Sequence, residues 1–233
     1  MYEYVIARTK YIDAAFSQAL AEQFDQVLVF GAGFDTRALR FEAEAGRTRI
    51  FELDVPVTQN AKLQEYRKKG LAIPSNVVFV AVDFDKESLP RRLDEAGFHT
   101  QQRSLFILEG LLMYLQPESV DELFRTIQGY AGPGSRVVFD YVHASVLRGE
   151  GKRYGERGAT KMVAQADEPW QFGIESEAIE GFLSTYDLKL TDHRDAQALE
   201  AMYFTDGSGR VVGRVNGTHC LVTAQKAWPL PQE

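Results

Sequence analysis

The chain has 233 residues, of which 45% are hydrophobic and 25% are charged, and this balance excludes a disordered or fibrous protein. Its net charge of −7, with basic residues scattered along the chain, argues against nucleic acid as the main partner. One cysteine cannot form an internal disulfide, and no apolar run reaches the roughly 20 residues that cross a bilayer. Because the N-terminus also lacks a signal-peptide apolar region, we expect a cytoplasmic protein with no membrane partner.

Helical and strand-like segments alternate along the chain. A helix is predicted over residues 9–23, and another begins at Pro117. Strand-length apolar runs lie at residues 26–30, 49–53, 77–81, 105–109 and 136–141, and two later runs lie at 188–191 and 218–224. The alternation predicts an α/β fold of the Rossmann-like class, with a mostly parallel seven-stranded sheet, helices on both faces and the late pair as an antiparallel edge.

The length suits one domain, which we predict to span residues 1–233. The regular pattern stops at residues 143–175, where a charged, glycine-rich stretch follows the fifth strand. Insertions at this place often form lids or substrate walls. A solvated loop is an equally good interpretation of that composition.

A glycine turn links the first predicted strand to a predicted helix, in the segment QVLVFGAGFDTRALR. Gly31 and Gly33 lie in this turn, and Asp54 lies 21 residues beyond Gly33, near the end of the next predicted strand. A carboxylate at this distance is suited to accept hydrogen bonds from ribose hydroxyls. The pattern predicts a nucleotide-cofactor site, although a tight turn without a ligand would also explain the glycines.

The third glycine of a dinucleotide fingerprint is missing, because Thr36 occupies that part of the turn. The full fingerprint places a pyrophosphate at a helix N-terminus, so its absence weakens the case for NAD and favours a cofactor without phosphates. S-adenosylmethionine is such a cofactor. It carries an adenine, a ribose diol and a methionine end with an amine and a carboxylate.

Further polar residues end the other predicted strands, and ligands of open α/β sheets bind at this edge. Asp83 is suited to accept from the adenine amine, Phe84 to cover the adenine face, and Glu109 to meet the methionine amine. Glu109 follows the apolar run SLFIL, where an unpartnered carboxylate would be costly to bury.

In this order the segments ARTKYID, VLVFGAGFDTRALR, FELDVPVTQNAK, VDFD, ILEGLLMYLQPESV and VVFDYV resemble the leucine carboxyl methyltransferase superfamily, which includes bacterial polyketide-type O-methyltransferases. The resemblance covers residues 5–145 well and the tail more weakly. It implies that Arg8 holds the cofactor carboxylate and that Tyr141 lies near the methyl acceptor. The cofactor residues it implies are Arg8, Gly31, Gly33, Asp54, Asp83, Phe84 and Glu109.

Family members usually have another helical segment before the arginine motif, whereas here seven residues precede Arg8. We expect either that another element closes the site, that the chain is truncated, or that the site opens more widely. A non-catalytic cofactor-binding or scaffold protein is therefore an alternative, and an NAD(P)-dependent oxidoreductase with a degenerate glycine loop is a weaker one.

The expected reaction is methylation of a carboxyl or hydroxyl oxygen of a small metabolite. A carboxylate acceptor is already ionised at neutral pH and needs no general base, whereas a hydroxyl needs a proton acceptor. His143, His193 and His219 are conceivable bases, and His143 is preferred because it is close to Tyr141. The histidines and the cysteine show no metal-ligand spacing, so we expect no metal.

Overall fold

One seven-stranded sheet forms the centre of the protein in a computed structural model that describes residues 1–83, 87–165 and 169–227. The strands are β1 (Gln26–Phe30), β2 (Arg49–Asp54), β3 (Val77–Ala81), β4 (Ser104–Leu108), β5 (Arg136–Val142), β6 (Leu188–Arg194) and β7 (His219–Lys226). Their order across the sheet is β3-β2-β1-β4-β5-β7-β6.

The sheet is parallel from β3 to β5, and β7 runs antiparallel to both β5 and β6. The prediction of a mostly parallel sheet with an antiparallel edge is confirmed. From β1 the chain first builds outwards through β2 and β3, and it then returns to place β4 on the other side of β1. Ligands of such sheets bind at this reversal, beyond the carboxyl ends of the strands.

Helices lie on both faces of the sheet. They are α1 (Tyr2–Ala21), α2 (Arg37–Arg40), α3 (Glu42–Ala45), α4 (Pro56–Lys68), α5 (Leu89–Glu95), α6 (Pro117–Tyr130), α7 (Ala144–Leu147), α8 (Glu156–Gln165), α9 (Ile179–Ser184) and α10 (Ala196–Tyr203). Short 3-10 helices lie at Leu112–Tyr114 and Ser176–Ala178. Within the described ranges, no helix is both long enough and apolar enough to cross a membrane.

The central strands are buried on both faces, because every residue of β1 and β4 is buried. Helix α1 covers one face with Ile12 and Phe16, while α6 covers the other with Phe124 and Ile127. Helix α1 begins at Tyr2, seven residues before the predicted start at Thr9. The buried side of α1 continues through Tyr4, Ala7 and Tyr11. The helical spacing of buried residues therefore begins in the first turn of the helix, before Thr9.

A buried ion pair joins β2 to α4. Lys62 Nζ lies 2.5 Å from Glu52 Oε2, and the two side chains are 2% and 3% exposed. Burial raises the pKa of Glu52 to about 7, against the opposing effect of Lys62. Removing one partner of such a pair leaves a buried charge without its counter-charge, which is more costly than removing both.

We expect Lys62→Met to destabilise the fold by about 3 kcal/mol, because it leaves the Glu52 carboxyl buried without its ammonium partner. Urea unfolding of the variant measures this loss. The double variant E52L/K62M is the matched control, since it removes both charges, and it should recover most of the stability. If E52L/K62M were as unstable as K62M, lost packing rather than the unpaired carboxyl would be the cause.

Candidate functional site

Two loops meet where the strand order reverses, one after β1 and one after β4. Phe30 pairs in register with Leu108 at the carboxyl ends of these strands, so Gly31 and Glu109 leave the sheet side by side. Gly31 has a φ of +60°, in the left-handed region that favours glycine. A Cβ on Gly31 would also lie 3.3 Å from Leu111 Cδ1 of the neighbouring loop.

The end of β2 holds the glycine turn in place. Asp54 Oδ2 accepts a hydrogen bond from the Gly33 N–H at 2.5 Å, and Asp54 Oδ1 accepts one from the Val55 N–H at 2.7 Å. The carboxylate is therefore fixed in direction, and each of its oxygens retains a second lone pair for a ligand. The predicted Asp54 is thus hydrogen-bonded directly to the predicted glycine turn at Gly33.

Two arginines enclose the carboxylate of Glu109. Its Oε1 lies 3.0 Å from Arg8 Nε of α1, and its Oε2 lies 2.7 Å from Arg37 Nη1 at the start of α2. Arg37 is 4% exposed at its side chain and also pairs with Asp13 and Asp35. Burial alone would lower the pKa of Arg37, but Asp35 and Glu109 raise it above its ordinary value, so the guanidinium stays charged.

A second carboxylate, Asp140 of β5, is completely buried beneath Arg8. It accepts hydrogen bonds from the Tyr4 hydroxyl at 2.7 Å, from Arg8 Nη1 at 3.1 Å and from the Gly110 N–H at 2.6 Å. Burial and the neighbouring Asp140 raise the pKa of Tyr4 well above its ordinary value. A Cβ on Gly110 would lie 2.9 Å from Arg8 Nη1, so a larger residue at position 110 would displace the guanidinium from its present position.

The charges of this network do not cancel. It contains three arginines and four carboxylates, so one negative charge remains; its members are Arg8, Arg37, Arg40, Asp13, Asp35, Glu109 and Asp140. Asp54 adds another carboxylate next to the glycine turn. A half-buried site with excess negative charge favours a cationic ligand over an anionic one.

Two cavities, each of about 340 Å³, share Arg8 and Glu109. The glycine-loop cavity is lined by Arg8, Thr9, Val29, Phe30, Gly31, Ala32, Gly33, Phe34, Asp35, Thr36, Arg37, Arg40 and Glu109. The aromatic cavity is lined by Met1, Tyr4, Val5, Arg8, Glu109, Gly110, Met113, Tyr114, Ala159, Val163, Trp170 and His219. The ion-paired side chains of Arg8 and Glu109 therefore lie between the two spaces.

The structure brings most of the predicted cofactor residues together. Arg8, Gly31, Gly33 and Glu109 line the glycine-loop cavity, and Asp54 is hydrogen-bonded to its rim. Asp83 lies two residues beyond the end of β3, at the same edge of the sheet as Asp54, whose carbonyl accepts from the Val82 N–H at 2.9 Å. The predicted Phe84 lies outside the described residues.

Tyr141 is not brought to either cavity. Because successive residues of a strand point to opposite faces, Tyr141 lies on the side of β5 away from Asp140, where it is fully buried in the core. Its hydroxyl lies 2.9 Å from His193 Nε2. Both ring nitrogens of His143 also have partners: Nδ1 lies 3.0 Å from Ser176 Oγ, and Nε2 lies 3.3 Å from Cys220 Sγ.

Three residues near the cavities were assigned no role from the sequence: Tyr4, Arg37 and Asp140. His219, which lines the aromatic cavity, was named only as a conceivable base less favoured than His143. Tyr4 could have been found from its helical spacing to Ala7 and Tyr11. Asp140 is adjacent to the predicted Tyr141. The segment carries no signal that shows whether Asp140 or Tyr141 points towards the site. The segment 143–175 contributes Ala159, Val163 and Trp170 to the wall of the aromatic cavity.

Comparison with known proteins gives a consistent result. A Mycolicibacterium smegmatis protein named as a candidate S-adenosyl-L-methionine-dependent methyltransferase is 36% identical over 157 residues, which are 67% of this chain and 52% of that protein. A Bacillus subtilis protein with the same description is 27% identical over 201 residues, 86% of this chain and 66% of that protein. The chain thus spans between about half and two thirds of the length of these relatives.

Solved structures support the fold. An O-methyltransferase family protein from Burkholderia thailandensis matches 98% of this chain and 59% of its own, with a TM-score of 0.59 and 12% identity. A Synechocystis magnesium protoporphyrin IX methyltransferase matches 97% of this chain and 86% of its own, with a TM-score of 0.58 and 10% identity. The family model described as leucine carboxyl methyltransferase matches residues 1–128, more than half of the chain. The chain belongs to the leucine carboxyl methyltransferase family.

Proposed function

We propose that this protein binds S-adenosylmethionine and transfers its methyl group to a carboxylate or hydroxyl oxygen of a small metabolite. One observation carries the proposal: the Arg8–Glu109 pair lies between two cavities, at the reversal of strand order. One cavity is then available for a cofactor and the other for an acceptor. Family membership and the relatives' names support methyl transfer from S-adenosylmethionine.

The glycine-loop cavity fits the parts of this cofactor. Asp54 accepts from the ribose diol, and the turn at Gly31 and Gly33 allows the cofactor to approach the backbone. Arg8 uses Nε and Nη1 for its ion pairs. We assign the remaining nitrogen of its planar guanidinium, Nη2, to the methionine carboxylate. Glu109 meets the methionine amine, and the excess negative charge of the network suits the sulfonium.

The remaining assignments concern the adenine. Asp83 lies at the edge of the sheet next to the end of β2, and we assign it the adenine amine as its hydrogen-bond donor. Phe84 follows Asp83 directly in the sequence, and we assign it the adenine face. When bound, the cofactor supplies an electrophilic methyl group, while the residues of the chain bind, orient and exclude water.

A dinucleotide fits this site less well. The pyrophosphate of such a ligand needs the free N–H groups of a helix N-terminus. Here Asp35 Oδ1 accepts from the Arg37 N–H at 2.6 Å, and Asp35 Oδ2 lies 2.5 Å from Arg37 Nη1. A carboxylate therefore already lies where the pyrophosphate would bind, and its charge would repel one.

Ligand-dependent stability tests the cofactor. S-adenosylhomocysteine at 100 times its dissociation constant should add about 2.7 kcal/mol of stability and raise Tm, whereas NAD should add nothing. Differential scanning fluorimetry with both ligands measures this difference. Stabilisation by NAD alone would favour the oxidoreductase alternative and overturn the proposal.

Methyl transfer itself is measured with S-adenosylmethionine labelled in the methyl group. Turnover against a panel of small carboxylic acids and alcohols is the expected result. A protein that binds S-adenosylhomocysteine and transfers no label to any acceptor, or to water, would instead be a cofactor-binding scaffold.

A further inference from the structure

His219 lies in the wall of the aromatic cavity, at the start of β7. Its ring stacks on Tyr4 with a centroid distance of 4.4 Å and meets the ring of Trp170 edge-on at 5.2 Å. The residue is 4% exposed, so its position and orientation are set by packing. Nothing in the proposed cofactor site uses this imidazole.

The hydrogen bonds around His219 determine its tautomer. Asn216 Oδ1 accepts from the Thr218 N–H at 2.9 Å, which identifies that side-chain atom as the oxygen. The same oxygen therefore accepts the Thr218 hydroxyl hydrogen. Since that hydrogen is committed, Thr218 Oγ1 accepts from His219 Nδ1 at 2.7 Å. The proton of the neutral ring is on Nδ1, and Nε2 has a free lone pair.

The surroundings keep the ring neutral. Burial lowers the pKa of His219 to about 4, against the opposing charge of Asp140 on β5. The other groups that face the ring also disfavour its protonation: Arg8 of α1, His143 after β5 and the amino group of Met1. Nε2 is thus unprotonated across the neutral pH range. In the described part of the chain, no hydrogen bond to Nε2 is formed.

We propose that His219 Nε2 is the general base of the reaction and that the methyl acceptor is the hydroxyl group of an aromatic or otherwise apolar molecule. This inference rests on the proposed methyl transfer and specifies its acceptor. The acceptor O–H bond breaks and its proton passes to Nε2. The oxygen forms a bond to the methyl carbon, and the electron pair of the carbon–sulfur bond remains on sulfur.

The charges favour a hydroxyl over a carboxylate. With a hydroxyl acceptor, the positive charge lost from sulfur reappears on the imidazolium of His219 as the proton is transferred. Asp140 then stabilises the imidazolium. A carboxylate acceptor has no proton for Nε2, and it would be repelled by Glu109 on the same cavity wall.

The cavity wall also suits an aromatic body. Tyr4, Tyr114 and Trp170 offer ring faces and edges, and Met113 adds an apolar side chain. Trp170 Nε1 is buried and has no hydrogen-bond partner among the described residues.

The first measurement is independent of turnover. In protein labelled with 15N-histidine, NMR at pH 7 should show His219 with its proton on Nδ1 and an unprotonated Nε2. Adding 1-naphthol to the complex with S-adenosylhomocysteine should shift the Nε2 resonance, because the hydroxyl donates to it. An Nε2-protonated ring, or no shift with 1-naphthol, would overturn the proposal.

The second measurement compares matched acceptors and variants. Methyl transfer to 1-naphthol should exceed transfer to 1-naphthoic acid, and H219Q should reduce it by about 100-fold or more. Calorimetry should show unchanged binding of S-adenosylhomocysteine by H219Q. The control H99Q changes an exposed histidine next to the start of β1, at the opposite edge of the sheet, and should leave both values unchanged.

The outcomes separate the two proposals. Preferential transfer to 1-naphthoic acid, or full transfer to 1-naphthol by H219Q, would overturn the role of His219 and leave the proposed methyltransferase intact. If the wild-type protein did not bind S-adenosylhomocysteine at all, the proposed function itself would be wrong.

Discussion

Replacing Asp54 by alanine should weaken the binding of S-adenosylhomocysteine by at least about 100-fold. The carboxylate is held by the N–H groups of Gly33 and Val55 at 2.5 and 2.7 Å, so it is oriented before any ligand binds. Two ribose hydroxyls donating to one carboxylate contribute about 3 to 6 kcal/mol together, which corresponds to about 10²- to 10⁴-fold in affinity. Isothermal titration calorimetry measures the change.

Two further variants separate the diol contact from the shape of the turn. D54N keeps the size of the side chain and one acceptor oxygen, and it should lose less affinity than D54A. D25A removes an exposed carboxylate before β1, at the opposite edge of the sheet, and should bind as the wild type does. Wild-type affinity in D54A would contradict the role assigned to Asp54.

The sheet could be predicted because its strands are short apolar runs separated by turn residues. The runs at 26–30 and 77–81 have the bounds that the structure shows for β1 and β3. Since both faces of the central strands are covered, these runs identify strands without identifying which residue points to which face. This is why the sequence indicates the rim of the site better than its individual side chains.

Tyr141 illustrates that limit. In the segment RVVFDYV, Asp140 and Tyr141 are neighbours and both are fully buried, so only the packing of α1 against one face shows that Asp140 faces the site. His219 illustrates a second limit. It is 78 residues from Tyr141 in the chain, and only the antiparallel pairing of β5 with β7 places it opposite Val142. The sequence predicts the antiparallel edge, but it carries no local signal for this register.

Replacing Asp140 should have the largest effect on stability of any single change at the site. Its carboxylate is 0% exposed and satisfies three donors from three parts of the chain: Tyr4, Arg8 and Gly110. In D140A these donors lose their acceptor, and Arg8 keeps Glu109 as its ion-pair partner. We expect a loss of about 4 kcal/mol in the free energy of unfolding, measured by urea denaturation.

The variant Y4F is the matched control, because it removes one of the three donors and keeps the ring that stacks on His219. It should cost about 1.5 kcal/mol, the contribution of one hydrogen bond to a charged group. If D140A cost no more than Y4F, the pair with Arg8 would contribute little to folding. Binding of S-adenosylhomocysteine should fall in D140A and remain near the wild-type value in Y4F, because Arg8 is oriented by Asp140 and Glu109 rather than by the tyrosine hydroxyl.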